Sequence, residues 1–196
     1  MSAGNKAELR RYWRSQRLAL LPEAEGPLLA AAERKLPPLL PAGRRLGLYW
    51  PLRGEADLRP LAQLSALQGQ LALPRVQGGQ LHYRAWQPGD PLSSDDTRIA
   101  APAGGADLEP AALGLLLVPA LALNRQGIRL GYGGGWFDRL RSDPAWRQVP
   151  ALAVLPAGCL CEELPVDPWD VPFDGWLDQH GVHWLQPVSG SGAATR

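Results

Sequence analysis

The apolar positions of this chain form short runs that are separated by proline- and glycine-rich breaks. Short apolar runs bounded by turn residues are typical of buried β-strands. The pattern predicts strands at residues 45–50, 70–73, 81–86, 113–118, 151–155 and 175–177. Apolar positions with helical spacing predict helices at residues 5–20, 22–36, 56–67 and 136–140.

The order of these segments predicts the fold class. Strands that alternate with helices favour an α/β fold with a mostly parallel sheet. We therefore expect a single three-layer α/β/α domain, Rossmann-like, over residues 1–188. Asn5 is the expected N-cap of the first helix, and Pro22 is expected to open the second. Residues 88–112 are expected to be irregular, and residues 189–196 to form a disordered tail.

Composition and charge narrow the class of protein. The chain has 196 residues, 45% of them hydrophobic, and a formal net charge of +1. This apolar content excludes a disordered chain, and the near-neutral charge disfavours a protein that coats nucleic acid. No apolar run reaches the roughly 20 residues that span a bilayer, and residues 1–17 lack the pattern of a signal peptide. We therefore expect a soluble, cytoplasmic protein that binds neither nucleic acid nor membrane.

The cysteines and histidines do not form a recognisable metal-binding pattern. Cys159 and Cys161 are a lone C-x-C pair, and the three histidines are scattered along the chain. A structural zinc site needs about four ligands at suitable spacing. Both cysteines are therefore expected to be free thiols in a reducing compartment.

Glycines are densest between residues 127 and 135, just before the predicted helix at 136–140. Backbone N–H groups in such a loop can approach phosphate closely. Arg129 and Arg139 are available to pair with its charge, and Asp138 is able to hold a divalent cation that bridges phosphates. The spacing fits neither the Walker loop nor the dinucleotide fingerprint. Spacing alone leaves two interpretations open, a phosphate-binding loop and a wide hairpin.

A longer pattern around this loop resembles a known family. Residues 118–139, VPALALNRQGIRLGYGGGWFDR, are similar to the signature of the 5-formyltetrahydrofolate cyclo-ligases, V-P-G-[LV]-A-F-D-x-x-G-x-R-L-G-x-G-x-G-[YF]-Y-D-R. Residues 6–10 (KAELR), 49–57 (YWPLRGEAD) and 164–174 (LPVDPWDVPFD) resemble further family elements in the expected order. The resemblance spans about residues 6–185.

The resemblance implies an enzyme that closes 5-formyltetrahydrofolate to 5,10-methenyltetrahydrofolate with ATP and Mg²⁺. In this family ATP phosphorylates the formyl oxygen, N10 of the folate attacks the activated carbon, and phosphate leaves. The protein is expected to be a monomer. By position, the resemblance assigns ATP binding to Lys6, Arg10, Arg129, Gly131, Tyr132, Gly133, Gly134, Gly135 and Trp136. It assigns folate binding to Trp50 and Glu55, Mg²⁺ binding to Asp138 and Asp170, and the reacting centre to Arg129 and Phe137.

Several of these residues also have ordinary structural interpretations. Lys6 and Arg10 suit a solvated helix face, and Asp138 suits the first turn of a helix through its dipole. Glu55 suits a capping position and Asp170 suits a turn. Without the resemblance, each of these interpretations stays open.

The chain also departs from the family pattern. The departures are Ala101 for Glu, Gly114 for Asp, Asn124 for Asp, Phe137 for Tyr and Cys159 for Gln. They leave two alternatives open, a diverged member that acts on another substrate and a non-catalytic folate-binding protein.

Overall fold

A computed structural model describes residues 3–185, with side chains described from residue 6 onward. The α-helices are α1 (Ala3–Lys35), α2 (Trp136–Ser142) and α3 (Pro144–Arg147). The strands are β1 (Arg45–Gly47), β2 (Leu71–Gln77), β3 (Gln80–Trp86), β4 (Leu92–Ser94), β5 (Ala100–Pro102), β6 (Leu113–Pro119), β7 (Ala122–Asn124), β8 (Arg129–Leu130), β9 (Ala151–Val154), β10 (Leu160–Cys161), β11 (Gly175–Asp178) and β12 (Gly181–Trp184). The predicted tail at 189–196 lies outside the described residues.

The main sheet has seven strands in the order β12-β11-β9-β6-β1-β2-β3. Its five inner strands are parallel to one another, and the two edge strands are antiparallel to their neighbours. Strands β10, β7 and β8 form a second, small sheet, and β4 pairs with β5. The prediction of an α/β fold with a mostly parallel sheet is confirmed.

The central strand β6 shows why the fold has three layers. Its residues Leu115 and Leu117 belong to an apolar cluster that includes Leu28 of α1. The alternate residues Leu116 and Val118 point to the other face, where their cluster includes side chains of α2 and α3. Successive side chains of a strand point to opposite faces. A strand that is apolar at every position is therefore covered on both sides.

The first helix differs from its prediction. One helix, α1, runs unbroken through Pro22 and Pro27, and it begins before Asn5, so Asn5 is not its N-cap. Proline in a helix interior removes a backbone hydrogen bond at an expected cost of about 3 kcal/mol. Burial of Leu28 and Ala32 against the sheet offsets that loss. Tertiary packing therefore overrides the local signal.

The predicted helix at residues 56–67 is also wrong. The structure has two 3₁₀ turns there, Arg59–Gln63 and Ser65–Leu67, and the apolar side chains at helical spacing are buried against the sheet. The predicted turn at Gly78–Gly79 joins β2 to β3 as a hairpin. The region at 88–112 contains the β4–β5 hairpin rather than irregular chain alone.

Two further expectations concern membranes and thiols. Among the described residues, no helix is both long and apolar enough to cross a membrane. Cys159 and Cys161 are free, and Cys159 is buried. Burial raises the pKa of the Cys159 thiol to about 11. The thiol is therefore protonated at neutral pH.

Two buried tyrosines give a matched test of polar burial. Tyr83 is fully buried, and within residues 6–185 its hydroxyl has no hydrogen-bond partner. The Tyr49 hydroxyl is buried too, but it donates to the carbonyl of Ala56 at 2.7 Å. Leaving a buried polar group unpaired costs about 1–3 kcal/mol. We expect Tyr83→Phe to raise the free energy of unfolding by about 1 kcal/mol and Tyr49→Phe to lower it by a similar amount.

Urea unfolding followed by circular dichroism measures both changes. An unchanged slope against urea shows that only stability has changed. A loss of stability in Tyr83→Phe would contradict the assignment of its hydroxyl as unpaired.

Candidate active site

A cavity of about 750 Å³ opens beside the carboxyl end of β6. This volume is in the range of small-molecule sites. Every site residue that the sequence resemblance assigned lines it, and these residues come from four separate segments of the chain. They are Lys6, Arg10, Trp50, Glu55, Arg129, Gly131, Tyr132, Gly133, Gly134, Gly135, Trp136, Phe137, Asp138 and Asp170.

The glycine loop 131–135 forms one wall of the cavity between β8 and α2. A Cβ atom on Gly131 would lie 2.5 Å from a guanidinium nitrogen of Arg129, so a larger residue there would displace this guanidinium. Gly133 and Gly135 have φ angles of 100° and 64°, in the region that L side chains rarely adopt. The loop conformation therefore requires glycine at these positions.

Arg129 is the buried cation of this wall. Its Nη1 donates to the carbonyl of Pro119 at 3.2 Å, and its Nη2 lies 3.7 Å from a carboxylate oxygen of Asp138. Within the described chain its buried Nε has no partner. Burial lowers the pKa of Arg129, and the carboxylates of Asp138 and Asp170 oppose this. The group remains a cation, since an arginine in a protein stays protonated.

The side chain of Lys6 connects helix α1 to residues 167–170. Its Nζ donates to Asp167 at 2.6 Å and to Asp170 at 3.0 Å. Burial alone lowers the pKa of Lys6, but the hydrogen bonds to the two carboxylates raise it above its ordinary value. One turn along α1, Arg10 donates from Nε to the carbonyl of Gly131 at 3.2 Å. Two cations of α1 therefore lie against the cavity.

Glu55 lies in a different, buried part of the cavity. One carboxylate oxygen accepts from the backbone N–H of Leu52 at 2.8 Å. The other is buried and lies 4.0 Å from Nη1 of Arg17, and it has no hydrogen-bond partner among residues 6–185. Burial raises the pKa of Glu55, opposed by the Leu52 N–H and by the charge of Arg17. This second oxygen is enclosed in the cavity wall near Arg17 and Tyr132, and its hydrogen-bonding capacity is unmet within residues 6–185.

Arg17 and Tyr132 support this carboxylate. The Nη2 of Arg17 donates to the Tyr132 hydroxyl, and Nη1 donates to the carbonyl of Ala120 at 2.9 Å. Burial raises the pKa of Tyr132 to about 12, so its hydroxyl stays protonated at neutral pH. The cavity wall around Glu55 is thus held by a charged and a neutral hydrogen-bonding group.

The remaining wall is largely apolar. It includes Trp50, whose ring packs edge-to-face against Trp86 and beneath the guanidinium of Arg59. The loop after β4 contributes Thr97 and is folded around Asp95, whose carboxylate accepts hydrogen bonds from this loop and from β2. An apolar wall with a few fixed polar groups suits a planar heterocyclic ligand.

Some residues of the site were missed by the sequence analysis. Asp167 shares Lys6 with Asp170 and lies three residues before it, a spacing that was visible in the sequence. Arg17 is 1% exposed, although it follows Arg10 and Arg14 in a basic stretch of α1. The burial of Arg17 results from contacts in the folded chain, whereas Arg14 in the same stretch is exposed.

The departures from the family pattern have distinct structural settings. Any Cβ on Gly114 would lie 2.7 Å from Pro41, so aspartate does not fit this backbone. The Asn124 side-chain oxygen accepts from two backbone N–H groups of the turn before Arg129, as a carboxylate would. Ala101 and Cys159 are fully buried. Phe137 lines the cavity, with the guanidinium carbon of Arg129 5.5 Å from its ring centre.

The carboxylates of the cavity are suited to Mg²⁺ by their chemistry. Asp138, Asp167 and Asp170 line it, and oxygen ligands are those that Mg²⁺ prefers. No group of three or more potential ligand side chains is assembled among the described residues. Mg²⁺ at nucleotide sites is commonly held by one or two carboxylates together with phosphates and water. The residues present therefore fit that mode of binding.

Comparisons with known proteins identify the family of the chain. The profile of the 5-formyltetrahydrofolate cyclo-ligase family matches residues 2–177. The chain is 31% identical to 5-formyltetrahydrofolate cyclo-ligase of Escherichia coli over 171 residues, covering 82% of this chain and 92% of the relative. It is 29% identical to the Haemophilus influenzae cyclo-ligase over 138 residues, covering 66% and 73%.

Solved structures show the same fold. The 5,10-methenyltetrahydrofolate synthetase of Aquifex aeolicus superposes with a TM-score of 0.72 at 26% identity, covering 96% of this chain and 97% of that one. The synthetase from Mycoplasma pneumoniae superposes with a TM-score of 0.66 at 19% identity, covering 89% and 98%. The family profile covers most of the described chain, and a relative is 31% identical over most of both sequences. This chain therefore belongs to the 5-formyltetrahydrofolate cyclo-ligase family.

Proposed function

We propose that this chain is an ATP-dependent 5-formyltetrahydrofolate cyclo-ligase that forms 5,10-methenyltetrahydrofolate, ADP and phosphate. The observation that carries the proposal is the meeting of all the assigned site residues in one cavity. The reaction needs ATP because the oxygen of a formamide is a poor leaving group. Transfer of the γ-phosphoryl group to that oxygen makes it a phosphate ester. Attack by N10 on the formyl carbon then closes the ring, N10 releases its proton to solvent, and the C–O bond breaks as phosphate leaves with the oxygen.

The glycine loop and its cations are assigned to the phosphates of ATP. Arg129 lines the cavity beside the loop, and Arg10 is bonded to the loop backbone. Lys6 lies on the same side of α1 as Arg10, one turn away. Phosphoryl transfer depends mainly on positioning and on neutralising charge. Arg129, Arg10 and Lys6 are proposed to hold the phosphates in position and to neutralise their charge.

The part of the cavity around Glu55 and Trp50 is assigned to the folate. Glu55 lines the cavity, and a carboxylate suits the N–H donors on the edge of a pterin ring. Trp50 and the apolar side chains near it offer a surface for the ring face. Phe137 lies beside Arg129 and so belongs near the reacting formyl group, between the two assigned regions.

Asp138 and Asp170 are assigned to a magnesium ion. When bound, the ion would neutralise negative charge on the phosphates of ATP. Asp138 follows the glycine loop, and Asp170 lies on the segment that Lys6 holds against the cavity. Arg129 and Lys6 pair with these carboxylates and keep them facing the cavity.

The direct test is an absorbance assay for the methenyl product. Purified protein is mixed with 5-formyltetrahydrofolate, ATP and MgCl₂, and each component is omitted in turn. We expect saturable turnover only in the complete mixture. Binding of folate without any product would instead identify a folate-binding protein, and turnover of another formamide in preference would identify a diverged enzyme.

The carboxylate assignment gives a second measurement. We expect Asp138→Asn and Asp170→Asn each to raise the Mg²⁺ concentration for half-maximal rate by about 10-fold, because each removes a charged ligand. Glu163→Gln is the matched control, since this exposed carboxylate precedes the same segment but does not line the cavity. Equal Mg²⁺ dependence in all three variants would remove Asp138 and Asp170 from the metal site.

A further inference from the structure

The chain contains only two phenylalanines, and both lie against the same arginine. The guanidinium carbon of Arg129 is 5.5 Å from the ring centre of Phe137 and 5.3 Å from that of Phe173. Both distances are within the range of cation–π attraction, which is strongest when the pair is shielded from water. Phe173 itself has no place in the proposed reaction, because it does not line the cavity.

Phe173 is fixed on the side away from the cavity. It is 3% exposed, and its backbone N–H donates to the carbonyl of Gly127 at 2.9 Å. A Cβ on Gly127 would lie 2.5 Å from the Phe173 carbonyl, so glycine is needed for this close approach. The ring is thereby held against the short stretch of chain that leads into Arg129.

A second buried arginine holds the same ring. The guanidinium carbon of Arg141 is 5.2 Å from the Phe173 ring centre. Arg141 donates to the carbonyls of Val149 and Pro172 and pairs with Asp174 at 3.2 Å, so its position is fixed by several contacts. Phe173 therefore contacts one guanidinium that is anchored in the core and one that borders the cavity.

We propose that Phe173 is a positioning residue that orients Arg129 for the transferred phosphoryl group. The inference rests on the proposed function, in which Arg129 contacts ATP. The plane of a guanidinium donates hydrogen bonds at its edges only. The two aromatic contacts restrain the guanidinium without using its donors, of which Nη1 is bonded to the carbonyl of Pro119. An arginine without these rings can rotate away from the anion.

The kinetic test separates this role from simple packing. We expect Phe173→Leu to raise KM for ATP by about 5- to 10-fold and to leave KM for 5-formyltetrahydrofolate within about twofold. Phe173→Tyr keeps an aromatic ring and is expected to recover most of the ATP affinity. Equal KM values for ATP in wild type and Phe173→Leu would overturn the inference.

Fluorinated phenylalanine gives a test that does not depend on the folding of a core variant. Fluorine withdraws charge from the ring face and weakens cation–π attraction while nearly preserving its shape. Because only two phenylalanines exist, replacing all phenylalanine by 3,4,5-trifluorophenylalanine alters only the two rings at Arg129. KM for ATP is expected to rise with the number of fluorine atoms, and no trend would count against the proposal.

Ligand binding followed by ¹⁹F NMR distinguishes a failure of the proposed function from a failure of the positioning role of Phe173. Protein labelled with 4-fluorophenylalanine gives two ¹⁹F signals, and loss of one in Phe173→Leu assigns them. We expect the Phe173 signal to shift in Arg129→Gln and on addition of a non-hydrolysable ATP analogue. If wild type lacks turnover but these shifts occur, the proposed function fails and the positioning role stands. If turnover is normal but the Phe173 signal responds to neither change, only the positioning role fails.

Discussion

Arg129→Ala is expected to lower kcat for methenyltetrahydrofolate formation by about 10²–10³-fold. Removal of one fixed donor to a developing charge has an effect of about this size in other enzymes. The effect is large here because the Arg129 side chain lines the cavity and is only 7% exposed, so that few water molecules screen its charge. Arg129→Lys keeps a positive charge but loses the planar set of donors, so an intermediate rate is expected.

Initial rates at saturating ATP and folate measure this prediction. Arg125→Ala is the matched control, because this arginine is 77% exposed and pairs with Glu162 outside the cavity. Its rate is expected to equal that of the wild type. A rate for Arg129→Ala within threefold of wild type would show that the phosphates are neutralised elsewhere.

Glu55→Gln is expected to weaken binding of 5-formyltetrahydrofolate by about 100-fold. One carboxylate oxygen accepts from the Leu52 N–H, so glutamine keeps that bond only by turning its NH₂ group toward the N–H donors of the pterin. A buried site built for one set of hydrogen bonds rejects a mismatched set strongly. Calorimetric titration with the folate measures the affinity, and Glu33→Gln, an exposed change on α1, is the control.

The pH dependence of the same affinity checks the assignment. Burial raises the pKa of Glu55 above its ordinary value. The carboxylate form accepts hydrogen bonds, so tight binding is expected above this raised pKa and is lost as the pH falls through it. Glu55→Gln does not titrate and is expected to lose this acid limb. If the affinity of the variant still fell at low pH as in the wild type, the titrating group would be another one, on the protein or on the folate.

The sequence predicted which residues line the cavity better than it predicted the helices. The glycine loop could be located because positive φ angles at Gly133 and Gly135 require a residue type that is visible in the sequence. The sheet could be predicted for a similar reason, since strands buried on both faces are apolar at nearly every position. Both patterns are local, because each can be recognised within one short segment of the sequence.

The features that the sequence did not predict arise from contacts that exist only in the folded chain. Proline at position 22 predicts a helix start, and only the burial of the following turns against the sheet explains a continuous α1. Arg17 has the same local pattern as its exposed neighbours, and its burial beside Glu55 follows from the packing of α1. Phe173 lies 44 positions after Arg129 and meets it only through the close approach at Gly127.

The hydrogen bonds of Lys6 have a consequence for the order of folding. They join residues 161 and 164 positions apart, which are among the most distant contacts that the described chain makes. Contacts of long sequence separation are slow to form because a large loop must close first. The parallel sheet can assemble before that closure, whereas the wall of the cavity that holds Asp170 cannot. A refolding chain is therefore expected to recover its secondary structure before its activity, and a chain cut before residue 167 has no group to hold Lys6 in place.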